Sequence, residues 1–281
     1  LLSRGLGDVY KRQPYYCGAE GNIRSYDTNN PWNIIAENDF IAGGFLWTGT
    51  DYIGEAGWPS HGWPAGLFDI CMVEKPRAAF HRAMWNDEPM VRIAVRDNAL
   101  DIDHGRDLWQ WPNMGAIWNF PRAYEGLVIE VNTTTNCERV ALFHNGNEMG
   151  VRRTADYPNH TITWCLPYRR GTLVAKGING TDTVAVHEIR TAGDAVRLKT
   201  TADRGKLMAD GQDLSYVQVE LLDKDGTLVQ HADRRVKASI EGEGRLVGFI
   251  SSDLRRKTPF TSHEDKTYFG RAMAIVQSTR K

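Results

Sequence analysis

The sequence has few cysteines, and none of them forms a close pair. Cys17, Cys71, Cys137 and Cys165 are far apart and include no C-x-x-C motif, which argues against a structural zinc site or a redox dithiol. We therefore expect free thiols. A bridge between Cys137 and Cys165 stays open, because it depends on whether the strands that carry these residues face each other.

The chain also lacks an excess of either charge and a long apolar run. Its 34 Lys and Arg residues balance 35 Asp and Glu residues, giving a net charge of −1, which argues against nucleic acid and anionic membranes as partners. No apolar run approaches the roughly 20 residues that cross a bilayer. His144, His187 and His231 are not at metal-ligand spacing, and the sequence predicts no metal and no other cofactor.

Aromatic residues are abundant instead. The chain has 9 Trp, 10 Tyr and 9 Phe in 281 residues, and this length predicts more than one hydrophobic core. Flat aromatic faces suit either core packing or stacking against sugar rings. Composition alone does not choose between those two uses.

The N-terminal third divides into an atypical start and a barrel-like segment. Residues 1–13 look like translated adaptor sequence, so we exclude them and expect the natural protein to extend upstream. Residues 14–86 contain the apolar run FIAGGFLW (40–47), a Gly- and Trp-rich loop, and the helical stretch PRAAFHRAMW (76–85). A buried strand, a loop and a helix in that order are typical of one βα unit of a barrel.

Short alternating segments with turn residues between them fill residues 87–192. Period-two alternation at this spacing predicts an antiparallel β-sandwich, and Asn145-Gly146 predicts a two-residue hairpin because both positions of a type I′ turn need positive φ. The predicted strands are VRIAV (91–95), LVIEVNTT (127–134), RVALFH (139–144), TITWCLP (161–167), GTLVAKGI (171–178) and TVAVHEIR (183–190).

A second set of strands fills residues 193–281 and predicts an immunoglobulin-like sandwich. Asp225-Gly226 marks a hairpin between two of its strands. The last strand, within RAMAIVQST (271–279), is predicted to lack a partner strand that would close the sheet, so we expect this module to be truncated at its C-terminus.

One motif resembles a known enzyme family. GGFLWTGTDYIGE (43–55) resembles the eighth barrel strand and following loop of glycoside hydrolase family 2, the β-galactosidase group. The segments at 118–121, 136–150 and 167–180 are similar to the small sandwich that follows the barrel in many such enzymes, and 209–226 is similar to their terminal immunoglobulin-like domain. The resemblance implies a mainly β chain: the C-terminal remnant of a (β/α)₈ barrel (14–86), a β-sandwich (87–192) and an immunoglobulin-like β-sandwich (193–281).

The family's chemistry is retaining hydrolysis by two carboxyl groups roughly 5 Å apart. The resemblance places both on barrel strands upstream of this segment, so no catalytic residue is assigned and the chain alone is expected to be inactive. Glu20 lies near the point where the nucleophile would be expected, but the resemblance puts the nucleophile several residues earlier. We interpret Glu20 as a loop residue.

Two residues are assigned to substrate binding. The resemblance implies that Trp47, at the end of the barrel strand, forms the aromatic platform under the sugar; the alternative is a core residue at the top of the barrel. Asp51 follows the strand and could accept hydroxyl hydrogen bonds, or it could fix a loop. For Glu55, an ion pair with a nearby Arg is the favoured interpretation.

For the other candidate binding residues, a purely structural role is at least as well supported as a role in binding. Trp58, His61 and Trp63 could wall a sugar subsite, or could pack their stiff loop onto the barrel rim. Asn29, Asn30 and Trp32 could fix the loop below the site, although plain turn residues before a proline are favoured. His104 and the WQWP stretch (109–112) are further candidates without a spacing that requires a role.

Three functions remain in competition. The first is a fragment of an enzyme that cleaves terminal β-D-galactosides. The second is a non-catalytic carbohydrate-binding or adhesive module, whose stacking residues would be drawn from Trp109, Trp111, Trp118 and Trp164. The third is a β-glucuronidase or β-mannosidase parent. Carbohydrate is the expected partner in each case, and the resemblance implies a periplasmic or secreted setting.

Overall fold

The computed structural model describes residues 35–96, 114–157 and 160–280, and the fold is mainly β. These residues form two compact units. The first unit contains described residues from 35–52, 63–68 and 74–191; the second contains 53–62, 69–73 and 192–280. The described residues of the predicted barrel segment, 14–86, are therefore shared between the two units, and its assignment to a barrel stays a prediction.

A helix of ten residues precedes the large sheets of the first unit. Two short strands, β1 (Tyr52–Ile53) and β2 (Gly62–Trp63), come before helix α1 (Pro76–Trp85). Pro76 occupies the first turn of α1, where its missing N–H costs no hydrogen bond. Ala79, Phe80 and Ala83 of this helix are buried, together with the polar Arg77 and His81.

Eight strands build the rest of the first unit. They form two four-stranded antiparallel sheets, in the orders β4-β3-β5-β8 and β10-β9-β6-β7. The strands are β3 (Val91–Arg96), β4 (Met114–Gly115), β5 (Val128–Thr135), β6 (Arg139–His144), β7 (Asn147–Arg153), β8 (Thr161–Pro167), β9 (Thr172–Asn179) and β10 (Asp182–Arg190), with 3₁₀ turns at Arg122–Tyr124 and Thr154–Asp156.

One aromatic core lies between these sheets. Alternate residues of β3, β5, β6, β8 and β9 point into it, as period-two alternation predicts. Trp118, Trp164 and Tyr168 are its largest side chains, and each is at most 1% exposed. The unit is therefore a β-sandwich whose interior is filled by large rings.

The β6–β7 hairpin forms at the predicted turn. Asn145 and Gly146 have φ values of 51° and 81°, and His144 pairs with Asn147 across them. Positive φ at both central positions is the signature of a type I′ turn, which asparagine and glycine accept at low cost. The hairpin prediction is confirmed.

The second unit has a four-stranded sheet in the order β11-β12-β16-β14 and a two-stranded sheet, β13-β15. Ala192, Val219, Val229, Phe249 and Ala272 are among the residues of its core. The strands are β11 (Arg197–Ala202), β12 (Leu214–Leu222), β13 (Arg235–Lys237), β14 (Gly244–Ile250), β15 (Glu264–Lys266) and β16 (Arg271–Ser278).

Two details of the second unit differ from the sequence prediction. Strand β16 has a partner on each side, β12 and β14, so the expectation of an unpaired last strand was wrong. The alternation of a strand gives its faces but not its neighbours. The chain reverses near Asp225-Gly226 as predicted, but in a longer turn in which Asp223 N–H donates to the carbonyl of Thr227 at 2.9 Å.

The apolar run 40–47 was predicted to be a buried strand and is not one. The side chains of Phe40 and Phe45 are 85% and 98% exposed, and residues 41–46 have extended or irregular backbone without strand pairing. A strand needs neighbours that complete its backbone hydrogen bonds. Among the described residues, the structure provides no strand beside this run.

Candidate functional site

Trp47 ends the exposed apolar run and keeps a large accessible surface. Its side chain is 53% exposed. The indole Nε1 donates to the Tyr52 hydroxyl oxygen at 3.3 Å, and the two rings meet edge to face with centroids 5.9 Å apart. The peptide bond between Trp47 and Thr48 is cis. The tyrosine contacts the polar edge of the indole, and much of the side chain stays available to a ligand.

Asp51 lies four residues further on and is buried, with 8% of its surface exposed. Its Oδ1 accepts hydrogen bonds from the Gly66 N–H at 2.7 Å and from the Lys75 ammonium at 2.7 Å. Burial raises the pKa of this carboxyl, and the charge and hydrogen bond of Lys75 oppose that rise. The geometry favours the loop-fixing alternative for Asp51.

Segment 64–66 holds this carboxylate network together. Lys75 Nζ donates to the Pro64 carbonyl at 2.9 Å, and Arg77 Nε donates to the Gly66 carbonyl at 2.8 Å. A Cβ at position 66 would lie 2.1 Å from the Asp51 nitrogen, so glycine is required by the close approach of two backbone segments. Lys75, Gly66 and Arg77 were not predicted, because no short-range pattern links residues 51, 66 and 77.

Family models match two parts of the chain. Residues 198–281 match the glycoside hydrolase family 2 C-terminal domain 5, and residues 126–185 match a domain of unknown function, DUF4982. A solved glycosyl hydrolase family 2 member from Bacteroides cellulosilyticus superposes with a TM-score of 0.79 at 32% identity, over 91% of this chain and 33% of that one. These matches support the C-terminal region of a glycoside hydrolase family 2 protein.

Curated relatives of this chain carry two kinds of name. It is 29% identical over 251 residues to the β-galactosidase BoGH2A of Bacteroides ovatus, covering 88% of this chain and 27% of that protein. It is 27% identical to a putative β-glucuronidase of Formosa agariphila, covering 88% of this chain and 22% of that protein. The chain thus spans only about a quarter of the length of these relatives.

Several residues that the family resemblance singled out lie outside the described residues. They are Glu20, Asn29, Asn30, Trp32, His104, Trp109 and Trp111. Trp47 and Asp51 both lie in the first unit, and their roles in a family 2 site stay predictions. Within the described part of the chain, no group of three or more His, Cys, Asp and Glu side chains could hold a metal ion.

Two predicted stacking residues are core residues. Trp118 is fully buried and Trp164 is 1% exposed. Their indole nitrogens donate inward, from Trp118 to the Arg169 carbonyl and from Trp164 to the Thr133 hydroxyl, both at 2.9 Å. Neither ring can stack on a ligand in this fold, so their assignment to a sugar-binding surface was wrong. Their positions in strand-like sequence did not reveal which face they occupy.

The predicted loop candidates of the second unit are exposed. The side chain of Trp58 is 82% exposed, and its ring meets His61 edge to face at 6.5 Å. The His61 N–H donates to the Leu254 carbonyl at 2.7 Å, so this loop is tied to the second unit. Glu55 is also exposed and has a φ of 48°.

A buried ion pair of the second unit was not predicted. Arg256 Nε and Nη2 contact Oδ2 of Asp265 at 2.8 and 2.7 Å, and both side chains are at least 94% buried. The guanidinium also lies 4.5 Å from the centroid of the Phe260 ring. Nine residues separate the partners along the chain, a spacing that carries no sequence signal.

The cysteines and histidines have structural surroundings. Cys71 and Cys137 are buried and Cys165 is exposed, and all three are free, so the bridge left open between Cys137 and Cys165 does not form. Burial raises the pKa of the Cys71 thiol to about 12. His187 Nδ1 accepts the Ile93 N–H at 3.0 Å, and burial together with Arg92 lowers the pKa of His187 to about 4.

No helix in the described part of the chain has the length and the apolar character needed to cross a membrane.

Proposed function

We propose that this chain is the C-terminal region of a retaining glycosidase that cleaves terminal β-D-galactosides. In this proposal residues 14–86 close a (β/α)₈ barrel, residues 87–192 form the following β-sandwich and residues 193–281 form an immunoglobulin-like sandwich. The exposed indole of Trp47, fixed by Tyr52, is the observation that carries the proposal. The family 2 matches and the β-galactosidase named among the relatives support it.

The proposed role of Trp47 is to form the platform beneath the galactose ring. The CH-rich face of a sugar gains burial and dispersion energy against an indole, and 53% of the Trp47 surface is available for it. The hydrogen bond to Tyr52 at 3.3 Å limits rotation of the ring. In this proposal Asp51 does not contact the sugar. Its ion pair with Lys75 anchors the segment that follows Trp47.

The proposed catalytic carboxyl pair lies on barrel strands outside these 281 residues. The chain alone should therefore give no turnover of a chromogenic β-D-galactoside. Hydrolysis that disappears in Glu20→Gln would overturn the proposal and would assign the nucleophile to Glu20. A periplasmic or secreted location for the whole enzyme belongs to the same proposal.

The platform is tested in the enzyme at full length. Trp47→Ala should lower kcat/KM for the galactoside by about 10- to 100-fold, as expected for the loss of roughly 1–3 kcal/mol of stacking and burial. Trp47→Phe keeps an aromatic face and should retain most of the activity. Equal activity of Trp47→Ala and wild type, with unchanged thermal midpoints, would exclude the platform.

A β-glucuronidase parent is the second candidate, because relatives from Formosa agariphila carry that name. Assays of the full-length enzyme with chromogenic galactoside, glucuronide and mannoside in parallel separate the substrates. A glucuronide preference of more than tenfold would replace the galactoside proposal and leave the platform role of Trp47 intact. For the binding-module alternative, only Trp109 and Trp111 remain as stacking residues of the original four.

A further inference from the structure

Two arginines face each other across the β6–β7 hairpin. Arg139 is the direct cross-strand partner of Arg153, so their side chains leave the same face of the sheet. Like charges in this position destabilise a sheet. Among the residues that the structure describes, no carboxylate forms an ion pair with either guanidinium.

The neighbouring acid forms no ion pair with either arginine among the described residues. Glu138 uses Oε2 to accept the Gly180 N–H at 2.8 Å, which ties its carboxylate to the turn before β10. Arg139 donates from Nη2 to the carbonyl of the same glycine. The side chain of Arg153 is exposed, and its guanidinium makes no hydrogen bond or ion pair with the described residues. Its charge is therefore open to a ligand.

The arginine pair borders a cavity of about 730 Å³ in the first unit. This volume is within the range of roughly 300–1,000 Å³ found for ligand pockets, and it is far larger than one inorganic anion needs. Its lining includes Glu138, Arg139, Arg153, Tyr157 and His160. The cavity therefore combines two cations, one carboxylate, an aromatic ring and an imidazole.

The polar groups of the lining are arranged for a hydroxylated ligand. His160 Nδ1 lies 3.1 Å from the Thr135 carbonyl, which requires a proton on Nδ1 and leaves Nε2 as an acceptor in the neutral ring. The Tyr157 hydroxyl accepts a hydrogen bond from Arg152 at 3.0 Å, so the phenol is fixed while its ring is partly exposed.

We propose that this cavity binds an acidic carbohydrate, with the carboxylate or sulfate of the sugar bridging Arg139 and Arg153. Guanidinium groups match such oxyanions through paired N–H donors. The sugar ring would lie against Tyr157, and a sugar hydroxyl would donate to His160 Nε2. The carbohydrate part of this inference rests on the proposed function; the anion part rests on the arginine pair. The site lies in the sandwich whose matched domain has no known function.

Calorimetric titration of the 281-residue protein tests the site. The probes are trigalacturonate for a carboxylate, a 4-sulfated galactose disaccharide for a sulfate, neutral galactotriose and inorganic sulfate. Trigalacturonate or the sulfated disaccharide should bind at least tenfold more tightly than both galactotriose and inorganic sulfate. Whichever of these two acidic sugars binds more tightly identifies the anion. Equal affinities for acidic and neutral sugars, or inorganic sulfate as the tightest probe, would overturn the proposal.

Two matched variants locate the binding. Arg153→Gln should weaken binding of the acidic sugar at least tenfold, whereas Lys206→Gln, which removes an exposed charge from the second unit, should leave it unchanged. Without ligand and at low salt, Arg153→Gln should raise the thermal midpoint by about 1–3 °C because it relieves repulsion. A lowered midpoint, or equal affinity of the two variants, would contradict the arginine site. Neither result bears on galactoside hydrolysis.

Discussion

The sandwich of the first unit and the core of the second unit bury different kinds of side chain. The sandwich of the first unit is filled by Trp118, Trp164 and Tyr168, and the buried polar groups of β5 and β8 are uncharged threonines and Asn132. The core of the second unit contains a single large ring, Phe249, among alanines and valines. Around it lie buried charges, including Arg256, Asp265 and Asp223.

This difference separates two sources of stability. Large rings stabilise the sandwich of the first unit through apolar area and packing, neither of which depends on protonation; the buried Asp51–Lys75 ion pair of that unit lies outside the two large sheets. The second unit depends on carboxylates that accept hydrogen bonds, and these are lost in acid. The first unit should therefore respond most to truncation of a ring, and the second to pH and to loss of a charge.

The largest expected effect is on the aromatic core. Trp118→Ala should destabilise the first unit by about 3–5 kcal/mol, because it removes a fully buried ring and leaves a cavity. Hydrogen exchange should accelerate in β5 and β8 but not in β12 and β16. Trp58→Ala removes an equally large side chain that is 82% exposed. It should change hydrogen exchange in neither pair of strands. Uniform acceleration in both units would contradict their independence.

Breaking the buried ion pair should be next in size. Asp265→Asn leaves the Arg256 charge buried without compensation, and should destabilise the second unit by about 3 kcal/mol. The neighbouring residue supplies the control: Glu264 pairs with Arg235 at 3.0 Å with 46% of its side chain exposed, and Glu264→Gln should cost less than about 1 kcal/mol. Urea denaturation measures the loss of stability in Asp265→Asn and in Glu264→Gln. Hydrogen exchange of β14 and β16 then shows whether that loss lies in the second unit.

The smallest expected loss of stability comes from changing Asp223, and it should depend on pH. Burial would raise the pKa of Asp223, but N–H donors from Gly193, Thr227 and Asp225 outweigh it and lower the pKa below 3.8. Its contribution is therefore complete above pH 3.8 and is lost as pH falls through the lowered value. Asp223→Asn, which presents an amide donor in place of one acceptor oxygen, should cost about 1–3 kcal/mol at pH 7.

The pH dependence of that cost is the decisive measurement. The difference in unfolding free energy between wild type and Asp223→Asn should shrink as the solution is acidified below pH 3.8. Asp225→Asn changes an exposed carboxylate in the same turn and serves as the control. A difference that is constant from pH 7 to pH 3 would show that the charge of Asp223 does not stabilise the second unit.

The sequence predicted local structure well where local physics decides it. The bounds of α1, β6 and β8 agree with the predicted segments, because alternation, proline placement and the Asn145-Gly146 turn all act within a few residues. Partners distant in sequence were not predictable. The neighbours of β16 and the approach of Gly66 to Asp51 depend on how separate segments meet.

The candidate site shows the same limit. Trp47 was located by its motif, and its exposure agrees with a surface role without testing it. Trp118 and Trp164 also read as candidates, since a tryptophan in an alternating strand has the same sequence signature whichever face it occupies. Arg139 and Arg153 are 14 positions apart in the chain, and only the register of the hairpin reveals that they are opposed.

Strand β16 joins β12 to β14, although it follows both of them along the chain. During synthesis β12 and β14 leave the ribosome before β16, the strand that connects them. Until then each exposes an open hydrogen-bonding edge to other nascent chains. The second unit is therefore expected to acquire its cooperative structure in one late step, rather than hairpin by hairpin.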